Sequence, residues 1–498
     1  MDLQLYNTRT RRKERFDPQT SGEAGIYVCG PTVYDYSHLG HARCYIVYDV
    51  LVRHLRSSGQ VVKYVRNITD VDDKIINRSK ELGEPALMLT ERFTQAFHDD
   101  LARLGCLNAD IEPKVSEHIP DIIALIQTLI AKGAAYESQG DVYFDVPAFQ
   151  NYGALSGRRL SELALGASGR IDDAESKRKR YPADFALWKH DAEAELAWDS
   201  PWGKGRPGWH IECSTMSMRY LGTTLDLHGG GLDLVFPHHE NELAQSEAAT
   251  GKPFARMWMH NGFVEISKEK MSKSLGNCFT IREVFNYVEP EAIRYFMLSV
   301  HYRSPLNLDW QSDDAGNILG FPLIEEAERR VEYLYHTKKR ISSIPKERQK
   351  VSASPSSLKI DALEPALKAC LDDDLNTPNA LAAIADFLKQ ANEIADTLKS
   401  PAATIDRAVL ATIVAGFDCI SQSLGLGLDT PEAFLTRVQQ RRLQARGISA
   451  DEVQLLVKER AQARRDKDYA RADSIRVRLE QMNIELLDAS DATSWRVL

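Results

Sequence analysis

The sequence lacks the features of a secreted, membrane-spanning or repeat protein. Its seven cysteines among 498 residues are odd in number and irregularly spaced, which fits a reducing compartment better than a disulfide framework. No apolar run is long enough to span a bilayer, no internal repeat is visible, and the N-terminal MDLQLYNTRTRRKERF has no continuous apolar core. The net charge of -9 argues against a protein that coats nucleic acid over its whole surface. We therefore expect a cytoplasmic protein of about three domains that does not enter membranes.

Two common nucleotide-binding motifs, GxGxxG and GxxxxGK[ST], are also missing from the first hundred residues. Residues 25–66 instead contain a short apolar strand, GIYVCG, an amphipathic helix within HLGHARCYIVYDVLVRHLRSSG, and a second apolar strand, QVVKYVR. Strand, helix and strand at this length predict a βαβ unit, and so an α/β fold with a parallel sheet. His38 and His41 lie where the first strand gives way to the helix, a position at which backbone N–H groups attract phosphate. Alone, such histidines are usually polar helix caps.

Residues 205–245 combine thiol, imidazole and carboxylate side chains. The proline before HHENE predicts a helix beginning at about His238, which places His238 and Glu242 on one face. A helix over GWHIECSTMSMRYL, ended by the next glycine, places Trp209 and Cys213 one turn apart. Cys213, His238 and Glu242 could then converge as zinc ligands, one short of a tetrahedron. The alternative is a small buried thiol and a solvated helix start.

A second charged motif, EKMSKSLGN, contains Lys270 and Lys273 in a loop with serine and glycine. Two ammonium groups there can neutralise a triphosphate and follow its charge as pyrophosphate departs. Alone, such a run is more often a solvated loop, whereas its combination with HxGH is highly specific.

HLGH and KMSKS together resemble the two signatures of class I aminoacyl-tRNA synthetases. The blocks YVCGPTVYDYSHLGH, YVRNITDVDDKI, GWHIECS, HGGGLDLVFPHHENE and EKMSKSLGN are similar to those of the cysteinyl-tRNA synthetase family, and the resemblance covers nearly the whole chain. The visible departure in the signatures is Leu39 in place of isoleucine, a change that conserves volume.

The resemblance implies a set of site residues. In the family, one zinc ion is held by a cysteine after the first strand, a cysteine in GWHIECS, and the first histidine and last glutamate of HHENE. The matching positions are Cys29, Cys213, His238 and Glu242, so Cys29 becomes the fourth ligand of one Zn²⁺ per chain. The residues implied for ATP binding and catalysis are His38, His41, Lys270 and Lys273.

The implied activity is the ATP-dependent activation of L-cysteine and its transfer to the 3′-terminal adenosine of tRNA(Cys). ATP is expected to bring Mg²⁺, although no dedicated carboxylate cage for it is visible. Zinc suits cysteine as substrate because it deprotonates a thiol outright, whereas a serine hydroxyl stays protonated and is a poor soft ligand. Discrimination on the order of 10⁴-fold is therefore plausible without a second, hydrolytic site.

Four further residues are candidates for the substrate pocket. Trp209 would form a wall of the amino-acid pocket. His228 and Asp233 flank the glycine run after the predicted TTLDL strand, where parallel sheets bind ligands beyond their strand ends. Asp233 and Thr69 are assigned to the substrate ammonium and its surroundings, although either could equally cap a turn.

The rest of the chain predicts two more domains. We expect a Rossmann-like catalytic domain at residues 1–315 with a connective insertion at about 90–200, which approaches the tRNA acceptor end in the family. The insertion should contain a helix in IPDIIALIQTLIAKG, a strand in GDVYFDV and a mobile loop in GASGRIDDAESKRKRYPADF. Apolar residues at three- and four-residue steps then predict an α-helical bundle at 316–430, which would contact the tRNA stem.

The last segment, residues 431–498, is expected to be a small anticodon-binding domain. Between Arg441 and Arg478 eleven Lys or Arg residues face six Asp or Glu residues, a local excess that suits RNA phosphate. Trp495 could stack on an unpaired base, although a late tryptophan usually packs internally.

Two other functions share parts of this pattern. A ligase that adenylates cysteine and passes it to an amino sugar has a similar catalytic core, but should lack the basic C-terminal segment. An inactive relative could bind RNA around a structural zinc site, although the intact histidines and lysines of both signatures argue against it. We expect a monomer whose partners are tRNA(Cys), L-cysteine and ATP.

Overall fold

The computed structural model describes residues 2–159, 177–191, 193, 195–266, 269–270, 278–351, 360–400, 402–488 and 493–497. The helices, numbered in chain order, are α1 (Leu39–Ser57), α2 (Asp73–Leu82), α3 (Ala86–Arg103), α4 (Ile119–Ala131), α5 (Trp209–Leu221), α6 (Glu240–Thr250), α7 (Ile281–Val284), α8 (Pro290–Leu298), α9 (Pro322–Ser342), α10 (Leu363–Asp372), α11 (Thr377–Thr397), α12 (Arg407–Leu424), α13 (Pro431–Ala445), α14 (Ala450–Arg465) and α15 (Tyr469–Gln481). None of these helices combines the length and apolarity needed to cross a membrane.

The strands are short, and most belong to small sheets. In chain order they are β1 (Gln4–Asn7), β2 (Arg12–Arg15), β3 (Glu23–Val28), β4 (Val61–Arg66), β5 (Ala135–Ser138), β6 (Asp141–Phe144), β7 (Phe185–His190), β8 (Gly205–Pro207), β9 (Leu225–Gly231), β10 (Ala255–Asn261), β11 (Val264–Ile266), β12 (Glu269–Lys270), β13 (Leu306–Asn307), β14 (Gln311–Ser312), β15 (Ile318–Gly320), β16 (Gln349–Lys350), β17 (Ile405–Asp406), β18 (Ile484–Asp488) and β19 (Thr493–Val497).

The central sheet is parallel and has the strand order β10-β9-β3-β4. Helix α1 connects β3 to β4 and α6 connects β9 to β10, so two βαβ units extend outward from two adjacent inner strands. The carboxyl ends of β3 and β9 lie side by side where the chain order reverses, which is where such sheets form a ligand crevice. The βαβ unit predicted at residues 25–66 is confirmed, since its buried helix face packs on a buried parallel sheet.

The end of strand β9 differs from the prediction. The strand does not end after TTLDL but continues through His228 and the glycine run to Gly231. At Gly229 a Cβ atom would lie 2.3 Å from the ring of Tyr48, so a glycine lets the strand continue against that ring. The predicted position of His228 beyond the strand is therefore wrong: the side chain is fully buried within the sheet.

A second, antiparallel sheet has the order β5-β6-β7-β8 and extends past the predicted insertion at about 90–200, since β8 is part of it. Helix α4 packs against α5 and α6. The helix predicted in IPDIIALIQTLIAKG is α4, and the strand predicted in GDVYFDV is β6. Residues 160–176, which hold the first part of the charged run GASGRIDDAESKRKRYPADF, lie outside the described residues. The last part of the run, from residue 177, consists of turns that lead into β7, which begins at Phe185.

The C-terminal third is helical, as predicted. Helices α9 to α12 share the large apolar core with the central sheet, whereas α14, α15 and the β18–β19 hairpin surround a smaller one. Helix α13 contributes to both cores, since Phe434 and Val438 pack in the large one and Leu443 in the small one. The division that we drew at residue 430 falls immediately before this shared helix.

Candidate functional site

A cavity of about 290 Å³ opens at the carboxyl ends of β3 and β9. Its wall is built from loops after these strands and from the first turns of α1, α2 and α5, as the topology of the sheet requires. The residues of this wall that concern its chemistry are Cys29, Gly30, Tyr34, Asp35, His38, His41, Lys74, Trp209 and Asp233. At Gly30 a Cβ atom would lie 1.5 Å from the carbonyl oxygen of Asn67, so this turn requires glycine.

The two histidines of HLGH lie at the start of α1 beside this cavity, His38 as the N-cap and His41 in the first turn. His38 Nδ1 accepts the backbone N–H of Gly40 at 3.0 Å, and His41 Nδ1 accepts the backbone N–H of His38 at 3.2 Å. Their rings stack with centroids 3.9 Å apart. Because Nδ1 is an acceptor in both, each neutral ring carries its proton on Nε2. They are therefore helix caps and, at the same time, N–H donors beside the cavity.

A buried cluster of four donor groups adjoins the cavity. Cys29, Cys213, His238 and Glu242 each offer one ligand atom, and these atoms all lie within 4.8 Å of one another. The two sulfurs are 3.8 Å apart, and Glu242 Oε1 lies 3.5 Å from Cys29 Sγ and 3.0 Å from His238 Nε2. A Zn–S bond of about 2.3 Å gives a tetrahedral S···S separation of about 3.8 Å. This donor set therefore fits zinc in both chemistry and spacing.

Burial and contacts between the side chains of the cluster shift their pKa values. A hydrogen bond from Cys29 lowers the pKa of Cys213 to about 6, whereas burial raises the pKa of the Cys29 thiol. Burial opposes ionisation of Glu242, but the imidazoles of His228 and His238 outweigh it and lower the pKa of this carboxyl to about 2. These contacts favour the anionic forms of Cys213 and Glu242, which are the forms that a metal cation binds, while, against the effect of burial, Glu242 raises the pKa of the His238 imidazole.

A second set of donors overlaps the first. Cys29 and Glu242 also lie within reach of His228 and His239, and these four groups satisfy the same distance criterion. Here, however, His228 Nε2 is held by Glu242 Oε2 at 2.8 Å, and His239 Nδ1 by His260 Nε2 at 2.8 Å. This set offers one sulfur rather than two, so it is the poorer match to a borderline-soft ion.

Trp209 and His210 flank the donor set at the start of α5. The Trp209 ring stacks on His238 with centroids 4.2 Å apart and remains 38% exposed at the cavity. His210 Nδ1 lies 3.0 Å from His238 Nδ1, and burial lowers the pKa of His210 well below its usual range. A neutral His210 can accept the N–H at Nδ1 of His238, which directs the other nitrogen of His238 towards Glu242.

The structure separates the remaining pocket candidates. Asp233 is exposed and lines the cavity. Thr69 is buried, its hydroxyl accepts the Asn67 amide at 3.1 Å, and it hydrogen-bonds to Glu212. The fully buried His228 contacts Glu242 instead of the cavity wall.

The lysines of the second signature lie at the limit of the described residues. Lys270 belongs to β12, whose backbone pairs it with Glu265 of β11. Lys273 lies outside the described residues, as do residues 271–277 as a whole.

Sequence reasoning missed several residues of this region, among them His210, which lies beside the donor set. His239 lies 3.3 Å from Cys29 Sγ, His260 contacts His239, and Lys74 lines the cavity. His239 was visible in HHENE and Lys74 in VDDKI, but neither spacing distinguishes a ligand from its neighbour.

The basic C-terminal segment is partly neutralised within the molecule. Arg441 and Arg442 pair with Glu328 of α9, and Arg442 also pairs with Glu332. Trp495 is half-buried beside the small core and donates to Gln454 Oε1 at 3.2 Å. The Trp495 ring is therefore only partly packed against the small core.

Comparison with known proteins relates most of the chain to two family models. The model of the class I (C) tRNA synthetase catalytic domain matches residues 15–314, and that of the DALR domain matches residues 366–429. A cysteine–tRNA ligase of Anaeromyxobacter dehalogenans (strain 2CP-1 / ATCC BAA-258) is 48% identical over 508 residues, and one of Geobacter sulfurreducens (strain ATCC 51573 / DSM 12127 / PCA) is 47% identical over 500. Both alignments cover 100% of each chain.

Solved structures share the fold at lower identity. Methionyl-tRNA synthetase of Mycobacterium tuberculosis in complex with methionyl-adenylate matches with a TM-score of 0.58 and 16% identity, over 86% of this chain and 95% of that one. This likeness concerns the fold alone.

Proposed function

The chain belongs to the cysteine–tRNA ligase family of class I aminoacyl-tRNA synthetases, and from this premise we propose that it activates L-cysteine with ATP and transfers it to the 3′-terminal adenosine of tRNA(Cys). Cysteinyl-adenylate is the intermediate, and AMP and pyrophosphate are released. The observation that carries the choice of cysteine is the pair of buried sulfurs, 3.8 Å apart, beside the cavity at the start of α1.

Cys29, Cys213, His238 and Glu242 would hold one zinc ion in this proposal. Support comes from the convergence of their ligand atoms within 4.8 Å and from the presence of two sulfurs, since the alternative set has only one. When bound, the ion supplies a Lewis acid that prefers the sulfur of cysteine to the hydroxyl of serine. His228 and His210 are positioning residues here, since they contact Glu242 and His238 respectively.

The remaining pocket residues would orient the rest of the substrate. Asp233 is exposed at the cavity and would bind the substrate ammonium, while the Trp209 ring would form one wall. Thr69 would act indirectly, because its hydroxyl contacts Asn67, whose Oδ1 accepts the backbone N–H of Gly30 at 2.8 Å.

Catalysis of adenylate formation would fall to the two signatures. His38 and His41 would donate from Nε2 to the phosphates of ATP, whose charge rises as the cysteine carboxylate attacks the α-phosphorus. Lys270 and Lys273 would hold the β- and γ-phosphates, a role that rests on their match to KMSKS. Mg²⁺ would accompany ATP as part of the substrate.

We propose the same domain roles as the sequence indicated. Residues 1–315 would carry out the chemistry, 316–430 would contact the tRNA stem, and 431–498 would bind the anticodon. A reducing, cytoplasmic compartment fits this proposal, because Cys29 and Cys213 must stay out of disulfides to bind a metal. The proposed enzyme is a monomer.

The decisive experiment measures both half-reactions on the purified protein. We expect cysteine-dependent ATP–pyrophosphate exchange, little or no exchange with serine, and charging of tRNA(Cys). A protein that exchanges but does not charge tRNA would be an amino-sugar ligase relative instead. A protein that does neither would contradict the enzymatic function altogether.

A further inference from the structure

Lys74 projects from the first turn of α2 at the edge of the cavity. It is exposed and forms part of the same wall as His38, His41 and Trp209. Its ammonium nitrogen stands 5.6 Å from the centroid of the Tyr34 ring, which lines the cavity as well. An ammonium over an aromatic face is attracted to the ring, so Tyr34 favours this position of the Lys74 side chain at the cavity mouth.

The two acidic residues before Lys74 both have hydrogen-bond partners. Asp72 caps α2 by accepting the backbone N–H of Lys74 at 2.7 Å. Asp73 accepts the ammonium of Lys189 at 2.7 Å and the guanidinium of Arg206 at 3.0 Å, and so ties α2 to the insertion. Across the described ranges, no carboxylate forms an ion pair with the Lys74 ammonium. Its charge is therefore directed to solvent and to whatever occupies the cavity.

The charge of the cavity wall makes this ammonium significant. The described wall contains two carboxylates, Asp35 and Asp233, and its one ammonium belongs to Lys74. A polyanion such as a nucleoside triphosphate or an RNA end would meet two carboxylates there, and the Lys74 ammonium offsets one of them. Charge-assisted hydrogen bonds to phosphate are the usual means of offsetting this repulsion.

We propose that Lys74 is a further catalytic residue, which binds a phosphate group of a substrate at the outer end of the cavity. The inference rests on the proposed function, which brings two phosphate sources to this cavity. One is the triphosphate of ATP, and the other is the phosphodiester backbone of the unpaired 3′ end of tRNA(Cys). The two sources enter in different half-reactions, so kinetics can tell them apart.

The test compares Lys74→Met, Lys74→Arg and the wild-type protein. Methionine keeps the length and the packing on Tyr34 but removes the charge, and an exposed position should tolerate it without unfolding. Lys80→Met on the same helix is the matched control, since Lys80 is also exposed but does not line the cavity. Melting temperature and zinc content should be unchanged in all three variants.

Two assays divide the reaction. The first is cysteine-dependent ATP–pyrophosphate exchange at varied ATP, and the second is single-turnover transfer of cysteine from preformed adenylate to tRNA(Cys). We expect Lys74→Met to lower one of these rates by roughly 10- to 100-fold relative to the wild-type protein. Lys74→Arg keeps the positive charge and should lower the same rate less. A raised KM for ATP in exchange assigns the phosphate to ATP, whereas normal exchange with slow transfer assigns it to the RNA.

Two results would overturn the inference, and they differ. If the wild-type protein is active and Lys74→Met stays within twofold of it in both assays, Lys74 binds no phosphate. If the wild-type protein itself neither exchanges nor charges, the proposed function fails and the role of Lys74 falls with it.

Discussion

Cys213 is the single residue on which the proposed selection of thiol over hydroxyl depends most directly. Replacing it with serine removes one of two sulfurs from the donor set while changing the side-chain volume little. We expect Cys213→Ser to weaken zinc binding by more than about 100-fold, because even the outer partners of metal ligands are worth about 10- to 100-fold. Metal analysis after dialysis should show the loss, and the KM for cysteine in exchange should rise.

Cys370→Ser is the control for this substitution. Cys370 lies on α10, far along the chain from the cavity, and is only half-buried. It should retain zinc and normal kinetics. Normal zinc content and a normal KM for cysteine in Cys213→Ser would remove this residue from the site.

His228 and His239 distinguish the two overlapping donor sets. If zinc binds the set with two sulfurs, neither His228→Gln nor His239→Gln removes a ligand, so both variants should keep more zinc after dialysis than Cys213→Ser. His228→Gln should lower the affinity for zinc by roughly 10- to 100-fold, because His228 orients Glu242 through a 2.8 Å contact. Loss of zinc from both variants, together with retention in Cys213→Ser, would move the ion to the other set.

At the residue scale the sequence predicted part of this cluster. Helical spacing placed His238 and Glu242 on one face, because the turns of a helix fix which side chains share a face. That Cys213, on the preceding helix, would meet them was one of two open alternatives. Cys29 came from the family resemblance, since 184 residues separate it from Cys213 and no local pattern relates them. The position of His228 depended on the end of a strand, which LDLHGGG does not mark.

Secondary structure was predicted best where apolar residues repeat with one period over many residues. Helices α1 and α5 repeat apolar residues over several turns and end near glycines, so periodicity and end residues agree. The strands β5 to β8 are three to six residues long, and β6 pairs both with its neighbour β5 and with β7 much later in the chain, so GDVYFDV was recognised but its sheet was not. Pairing of short strands is a tertiary property that local patterns do not encode.

Glu291 lies on α8, where this helix contacts the helical bundle, and its carboxyl has a raised pKa. Burial raises the pKa of Glu291 to about 7, although Tyr335 donates its hydroxyl to it at 2.6 Å and Gly427 donates its backbone N–H. In the unfolded chain a glutamate loses its proton near pH 4.3, so between about pH 4.3 and 7 the folded state binds more protons. The contribution of Glu291 to stability is therefore present below that range and is lost as pH rises towards 7.

We expect Glu291→Gln to remove this dependence. The melting temperature of the wild-type protein should fall more between pH 5 and pH 7.5 than that of the variant, so the difference between them should shift in favour of the variant as pH rises. Glu326→Gln on the exposed side of α9 is the control and should follow the wild-type protein. Parallel curves for Glu291→Gln and the wild-type protein would contradict a raised pKa of Glu291.

Across the whole molecule, the number of basic residues near the C-terminus did not predict which of their side chains are exposed. The excess of basic residues was correct as a number, but Arg441 and Arg442 are half-buried against Glu328 and Glu332 of α9. Sequence alone cannot reveal this, because the partners lie more than 100 residues away. These arginines join α13 to α9 of the bundle.

Arg442 therefore tests whether the C-terminal module must be held in place for charging. Its guanidinium contacts Glu328 at 2.9 Å, Glu332 at 3.2 Å and the carbonyl of Val497 at 3.1 Å, so it joins α13, α9 and β19. Loss of one partner from a buried ion pair costs about 3–5 kcal/mol, and less here because Arg441 still reaches Glu328. We expect Arg442→Gln to lower kcat/KM for tRNA(Cys) charging about tenfold while exchange stays within twofold, with faster proteolysis of the module. Arg476→Gln, which breaks only an exposed pair within α15, should change neither rate. An equal loss of exchange and charging in Arg442→Gln would mean that this contact supports the catalytic core itself, not the placement of tRNA.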